Sequence, residues 1–540
     1  MVNSNEVPLM FQAPVGGRGQ IQYIQNPEKS ERWVDEWLEA AAYSAPQFNS
    51  SVKVKEYIIT WRFVSNSGQD DDIIRPVIAA QGFPYYPGAS MKGAFLRACT
   101  PDQARRYCGG KVPQNNETEP GILRFHGAYP KDDSWTEESL IDVVHPQEDW
   151  QVKYSDSRHA AFIQISLYKP HLVFGISSNI ELDDREWETI WAIWDQAIES
   201  GIGSRVSAGY GQPIKHSGTK LFSVNLRGQG LASQLINKTG EFRPNMFKAA
   251  LRGHTLRLFS AITDENTAEE LTRELWGGFA GRNGAVVGQL GIAFNPVELE
   301  LDEFRYGNNK MPTYDLQKGT LNILCMGKIS DEYRKELATL AKSILRFSML
   351  LGGFGKSWRR IDHRKFFPEY LENNNKPMIG SHWEFTPQSN SYYFMVNNIS
   401  HIKNILNDVH KSVNNWLTLK GKTRSGQISS WRESFHPKKV QVWARIAQDE
   451  DDSLAVGWFH DNFQGSNSIK GSSLTGKIGK IGRIWHRMYP RYIKTTSGEV
   501  KRKSREYIEL LTIFPDQNDE RTQKFLTFLK TTDFIKMWGE

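Results

Sequence analysis

The chain has 540 residues, of which 39% are hydrophobic, 24% charged and 12% aromatic, with a net charge of +6. This composition provides ample core material and excludes a chain that is disordered or of low complexity throughout. Three cysteines, Cys99, Cys108 and Cys325, exclude a disulfide framework and show no zinc-ligand spacing, so they read as small buried thiols. At roughly 100–200 residues per domain, the length predicts three or four domains or a duplicated large one. The opening residues lack the basic and apolar regions of a secretory signal, and no apolar run approaches ~18 residues. A cytoplasmic protein with no membrane partner is expected.

In chain order, residues 57–64 have the β-branched and aromatic content of a strand. A polar loop with Asp70, Asp71 and Asp72 follows, then a Pro87-Gly88 turn with Ser90 as N-cap of a helix running to about Ala98. Residues 161–167 and 172–176 read as strands. Residues 184–199 read as an amphipathic helix with Trp187, Ile190, Trp191 and Trp194 on one face, followed by a glycine loop. The succession then recurs: a strand at 221–226, helices at 248–262 and 332–350, and the loop Gly352-Gly353-Phe354-Gly355.

Two motifs repeat in the same order. Residues 91–97 (MKGAFLR) and 251–257 (LRGHTLR) share the pattern apolar–basic–Gly–x–x–Leu–Arg, and Gly209-Tyr210-Gly211 is matched by Gly353-Phe354-Gly355. Two ordered matches at similar offsets predict two copies of one α+β domain, helices on one face of an antiparallel sheet. The first copy spans 1–218 with an N-terminal extension, and the second spans 219–540 with basic C-terminal insertions. A further echo, Lys470-Gly471-Ser472-Ser473-Leu474-Thr475-Gly476, lacks the proline and is not counted as a third domain.

The charge is segregated. Lys411 to Arg445 holds eight Lys/Arg and one acid, Glu433, while Lys470 to Arg505 holds eleven and Glu499 alone. Trp416, Trp431, Phe435, Trp443, Trp485, Tyr489 and Tyr492 are interleaved with these cations. Cations for phosphates and aromatic faces for bases suit a single-stranded nucleic-acid surface; the competing reading is a solvated basic face with its aromatics in the core.

At the helix start, Ser90, Lys92 and Gly93, with Arg97 one turn on, combine backbone amides, cations and a missing side chain, which suits a phosphate backbone. Arg252, Gly253 and Arg257 repeat the pattern. Gly355-Lys356-Ser357 ends like a P-loop, but the required earlier glycine is Leu350, and Gly201-Ile202-Gly203 is followed by Val206 where a dinucleotide site needs glycine. No nucleotide cofactor is expected. The loops with Arg205, Gly209 and Gly211, and with Gly353, Gly355, Lys356, Arg359 and Arg360, suit a polynucleotide backbone instead. His126, His145 and His159 with Glu148 and Asp149 show no metal-site spacing.

The Pro-Gly-x-Ser-apolar-Lys-Gly-x-x-x-Arg segment at 87–97, with the glycine loop at 209–211, resembles the repeat-associated mysterious protein (RAMP) superfamily. More closely, the chain is similar to backbone subunits of type III CRISPR effector complexes, with two such domains fused. The resemblance implies tandem modified ferredoxin-like (RNA-recognition-motif-like) domains that hold a guide RNA. It also implies a paired target RNA, neighbouring RAMP-type subunits and a large type III subunit as partners. It further implies that an aspartate in the loop before Pro76-Val77-Ile78 cuts the target RNA with a divalent cation, Mg2+ or Mn2+. Asp72 is the nearest candidate and the metal ligand, two residues off the family's register, with Asp71 and Asp70 beside it. The corresponding loop of the second copy has no aspartate, so that half is expected to bind without cutting. The alternatives are a purely structural guide-binding subunit and a guide-processing endonuclease of the same superfamily, which would need acid–base groups instead of a metal.

Overall fold

The computed structural model describes residues 27–41, 45–70, 73–111, 118–144, 162–279, 285–372, 375–424, 429–475 and 482–540. They form a mixed α/β structure with several small sheets, most strands pairing antiparallel. The first main sheet holds β1 (Lys53–Ile58), β2 (Leu123–Pro130) and β3 (His171–Ser178), in the order β2-β3-β1. Beyond β1, an Ile59–Pro213 bridge begins a fourth position. Helices α1 (Gly88–Ala98), after β1, and α2 (Asp184–Ile198), after β3, pack against each other and into a core of Met91, Phe95, Phe174, Ile176 and Trp194. Helix α2 starts where Asp183 accepts the Glu186 amide, and Ile190, Ile193, Trp194 and Ala197 form its buried stripe.

The second sheet holds β4 (Lys220–Leu231), β5 (Leu290–Tyr306), β6 (Asn309–Cys325) and β7 (Ser381–Phe385), ordered β5-β6-β4-β7. Helix α3 (Asn245–Phe259) follows β4 and α4 (Asp331–Leu351) follows β6. Ser330 caps α4 by accepting the Tyr333 amide, and Asp331 and Glu332 lie in the first turn, where the helix dipole favours anions. Strands β5 and β6 are 17 residues each and pair to the turn at Gly307. From Asn295 outwards β5 is largely exposed, but β6 stays paired with β4 as far as Thr313, opposite Asp302, so only Glu303–Tyr306 and its partners project, about 13 Å at ~3.3 Å per residue.

Residues 441–538, expected to be a basic extension of the second copy, instead build a sheet of their own. Its strands are β8 (Gln441–Ala447), β9 (Ile484–Lys494), β10 (Val500–Ile513) and β11 (Ile535–Trp538), ordered β9-β10-β8-β11. Helix α5 (Leu454–His460) follows β8 and α6 (Glu520–Leu529) follows β10, so the succession and strand order repeat those of the second sheet. One apolar cluster runs from the second sheet into the third through the helix His401–Leu419, joining Phe247, Trp383, Trp416, Trp485 and Tyr489. The first sheet keeps a separate cluster.

The aromatics of both basic windows belong to these cores: Trp416, Trp431, Phe435, Trp443, Trp485, Tyr489 and Tyr492 are all buried. Trp485, Arg487 and Tyr489 share one face of β9 by the two-residue strand period. Arg487 is buried with them and donates to the carbonyls of Met349 (3.2 Å) and Trp383. The stacking surface expected from composition is therefore core. All three cysteines are buried. Among the described residues no helix is long and apolar enough to cross a membrane.

Candidate nucleic-acid interface

Helix α1 presents the outward face its motif implies. Its flanking residue is Pro87, with no side-chain cap bond, so Ser90 lies inside the first turn and is not the cap. The Tyr85 hydroxyl stands 3.2 Å from the Gly88 amide. A Cβ on Gly88 would come within 2.1 Å of the Phe125 carbonyl oxygen, so glycine lets the helix start pressed against β2. Ser90, Lys92 and Arg97 are exposed and Gly93 is half-buried. The space above Gly93 is open except for the tip of Arg97, 3.8 Å from where its Cβ would be. Gly93 and Arg97, four residues apart, share one helix face, while Lys92 projects from the adjacent exposed side.

The repeat copy of this motif in α3 is covered. Arg252 is 3% exposed, Arg257 1%, and Gly253 is buried. The Arg257 guanidinium lies beside the edge-packed rings of Trp358 (5.5 Å) and Trp485 (5.2 Å) and donates to Glu433 at 2.6 Å. Arg359 donates to the same carboxylate at 2.9 Å. These two arginines, expected to contact RNA, are instead internal ion-pair partners of Glu433, in the segment that leads into the third sheet. The cause is the chain after residue 400, which folds back over α3.

The glycine loops are also tightly held. Gly211 has φ +59°, and a Cβ there would lie 1.9 Å from the Ile202 carbonyl oxygen, so only glycine closes this loop. Gly209 rests against Ile292 of β5, Gly353 against Trp383 and Gly355 against Met246. The first loop thereby docks onto the second sheet.

That docking assembles a cationic junction which the sequence reading missed in part. The Lys248 ammonium, in α3, donates to the Ser207 hydroxyl at 2.6 Å. Burial, then Arg252 and Arg205, push its pKa down to about 7. Arg205 is exposed in the first loop and donates to Gln164 at 2.9 Å. On the other side of α3, Lys356 is half-buried, and burial followed by Arg243 pushes it down to about 8. No carboxylate is bonded to Lys248 or Lys356 among the described residues. Arg243 is already neutralised by Asp142, which also accepts the Tyr210 hydroxyl at 2.6 Å, while Glu241 holds Arg62 at 2.7 Å. Burial alone would raise the Asp142 carboxyl, but Arg243 and Arg62 outweigh it and hold it below the usual range. The result is a paired network beneath and incompletely compensated lysines above it. Lys248 lies four residues before Arg252, one helical turn, so a search of the α3 face around the repeat would have found it.

The β5–β6 hairpin adds an arm beside this junction. Phe304 and Tyr306 stack near its tip (6.5 Å, 20°), and Lys310 pairs with Glu303 at 2.8 Å.

Of the aspartate loop, Asp70 ends the short strand Gly68–Asp70 and pairs in register with Ile73 of Ile73–Arg75. Asp71 and Asp72 lie outside the described residues, as do His145, Glu148, Asp149 and His159. Among the described residues no three His, Cys, Asp or Glu side chains converge on a cation site. The His126 ring bonds Ser177 at 2.8 Å.

No protein-family model and no curated protein sequence matches the chain. Among solved structures it is similar to a chain of the Type III-B Cmr-beta complex bound to cognate target RNA, at 17% identity and TM-score 0.23, over 35% of this chain and 66% of that one. It is similar to Cmr1 from Pyrococcus furiosus at 12% identity and TM-score 0.33, over 59% of this chain and 98% of that one. A Type IV-B CRISPR complex chain matches at 15% identity and TM-score 0.21, over 30% of this chain and 86% of that one.

Proposed function

We propose that the chain is a guide-RNA-binding backbone subunit of a type III CRISPR ribonucleoprotein, built from ferredoxin-like RAMP units. The observation that carries this reading is a set of cations, Lys92 and Arg97 exposed on α1 and Arg205, Lys248 and Lys356 at the junction of the first two sheets. Exposed or incompletely neutralised cations beside an open glycine attract phosphates irrespective of base sequence. The strand order of the second and third sheets, each with helices after its first and third strands, supports ferredoxin-like units. A division into three such units fits the pairing better than two.

Two expected results test the reading. Lys92→Glu lies on the surface and leaves folding intact. It should weaken binding of single-stranded RNA and reduce the salt slope by about 0.7 per lost phosphate contact, measured by anisotropy from low to high salt. An unchanged slope refutes the α1 contact. Cleavage of paired target RNA, with Mg2+ or Mn2+ as the required cation, belongs to the Asp70–Asp72 loop on the same reading. Asp70, Asp71 and Asp72 are replaced singly by Ala in the assembled complex. Loss of a cleavage product with guide binding retained identifies the catalytic carboxylate; no loss from any of the three leaves a purely structural guide-binding subunit.

A further inference from the structure

A cavity of about 210 Å³ opens where the segment after α4 meets the third sheet, lined by Arg360, His363, Phe459, His460, Lys470 and Gly471, among others. Its lining carries no acidic residue. Arg360 comes from the end of the second glycine loop. Its guanidinium donates only to carbonyl oxygens, those of Ile484 (2.5 Å), Arg359 (3.0 Å) and Thr475 (3.4 Å), and lies over the Phe459 ring at 4.8 Å. Among the described residues it has no carboxylate counter-ion.

Two imidazoles stand opposite. His363, 1% exposed, has Nδ1 at 2.9 Å from the Ile361 carbonyl oxygen, and a carbonyl only accepts, so Nδ1 carries the hydrogen. Its Nε2 then bears the lone pair and accepts from Nε2–H of His460 at 3.1 Å. Two nitrogens at that separation could also flank a metal ion. However, Arg360, Lys376 and Lys470 all bear on His460, which opposes a cation and favours an anion. Lys470 and Gly471 form an exposed lip. Gly471 has φ +68° and nothing within 4 Å of its Cβ position, so backbone is open to a close approach. This lip is the start of the Lys470–Gly476 echo of the first helix motif, which the interface above does not use.

We infer that this cavity binds a phosphate group carried on a nucleotide or oligonucleotide, with Arg360 and Lys470 as its donors and the open Gly471 backbone as its lip. Arg supplies a planar two-pronged donor and Lys a point charge, a combination suited to an oxyanion with several acceptor oxygens. The inference rests on the nucleic-acid reading only for the molecule that carries the phosphate; inorganic phosphate tests the cavity by itself.

The test is isothermal titration of the full chain with inorganic phosphate, with AMP, and with a diribonucleotide bearing either a 5′-phosphate or a 5′-hydroxyl. At least one probe should bind saturably. Lys470→Ala, an exposed position that leaves the melting temperature unchanged, should weaken that binding about tenfold, the scale of a lost charge-assisted contact. Preference for the 5′-phosphorylated dinucleotide identifies a strand end as the source, and equal binding of the two identifies an internal phosphodiester. No saturable binding by any probe, or equal binding to wild type and Lys470→Ala, overturns the inference. Its failure leaves the Lys92 salt-slope result untouched.

Discussion

Replacing Glu433 by Gln is expected to be the most damaging single change, lowering stability by about 3–5 kcal/mol, because removing one partner leaves uncompensated charge in the interior. Glu433 is 0% exposed and accepts from Arg257 and Arg359, with Arg432 at 3.6 Å. Arg257 and Arg359 are themselves buried, so neither can turn to water. Urea unfolding followed by tryptophan emission reads the loss directly, since Trp358 and Trp485 flank Arg257. An effect below ~1 kcal/mol, the range of exposed pairs, would mean that the triad is solvated. The pH dependence has a defined sign. Burial raises the Glu433 carboxyl, but Arg359 and Arg257 outweigh it and hold it at about 2 against an ordinary 4.5. Its contribution is therefore full above about pH 4.5 and is lost as pH falls towards 2. Glu509, also held at about 2, loses its contribution in the same window, so acid should release the third sheet.

The second large effect concerns Lys248, where binding and stability should move in opposite directions. The isosteric change Lys248→Met removes an ammonium pushed down to about 7 by burial, Arg252 and Arg205. Its folded value lies below the ordinary 10.5, so the unfolded chain binds more protons between about pH 7 and 10.5. Wild-type stability therefore rises with pH across that window, and the Met variant should lose this slope and melt higher at pH 7. RNA affinity should fall about tenfold at pH 6.5, where the wild-type group is protonated, and change little at pH 8.5, where it is neutral. A variant that melts lower and binds equally would make Lys248 a structural residue serving Ser207.

Two helices were legible to within a residue, while the expected 248–262 is displaced by three at each end from Asn245–Phe259, and Glu265–Trp276 and His401–Leu419 were not expected. The expected 184–199 and 332–350 correspond to Asp184–Ile198 and Asp331–Leu351, since both combine a clean apolar stripe with an N-cap, Asp183 or Ser330. The first strand was placed late: pairing begins at Lys53 and regular structure breaks after Ile58, because only Lys55 and Tyr57 are half-buried and the exposed positions around them dilute the apolar signal. The β5–β6 arm was missed for the same reason. Glu298, Glu300 and Asp302 alternate with apolar residues of which Leu299 reaches the core, and only the Gly307-Asn308 turn marks it. The third sheet was missed because its first helix lacks the Pro-Gly motif that betrayed the first copy. In the candidate site, Lys92 and Arg97 were named from local sequence, and both are exposed on α1. Arg257 and Arg359 were misassigned because Glu433, which occupies them, lies 176 residues from Arg257.

That separation also bears on how the chain comes into being. During synthesis Arg257 emerges long before Glu433, and Trp485, the second of its flanking rings, emerges later still. At about 5–20 residues per second, the delay before Glu433 appears is roughly 10–35 s. Through that interval the second sheet exists only with its central helix α3 uncovered and a cation lacking its partner. The first sheet's apolar cluster closes by Ile202, but the buried Arg62 and Asp142 beside it wait in the same way for Glu241 and Arg243. Each unit is therefore completed only when a later stretch of chain delivers the counter-charge for its interior.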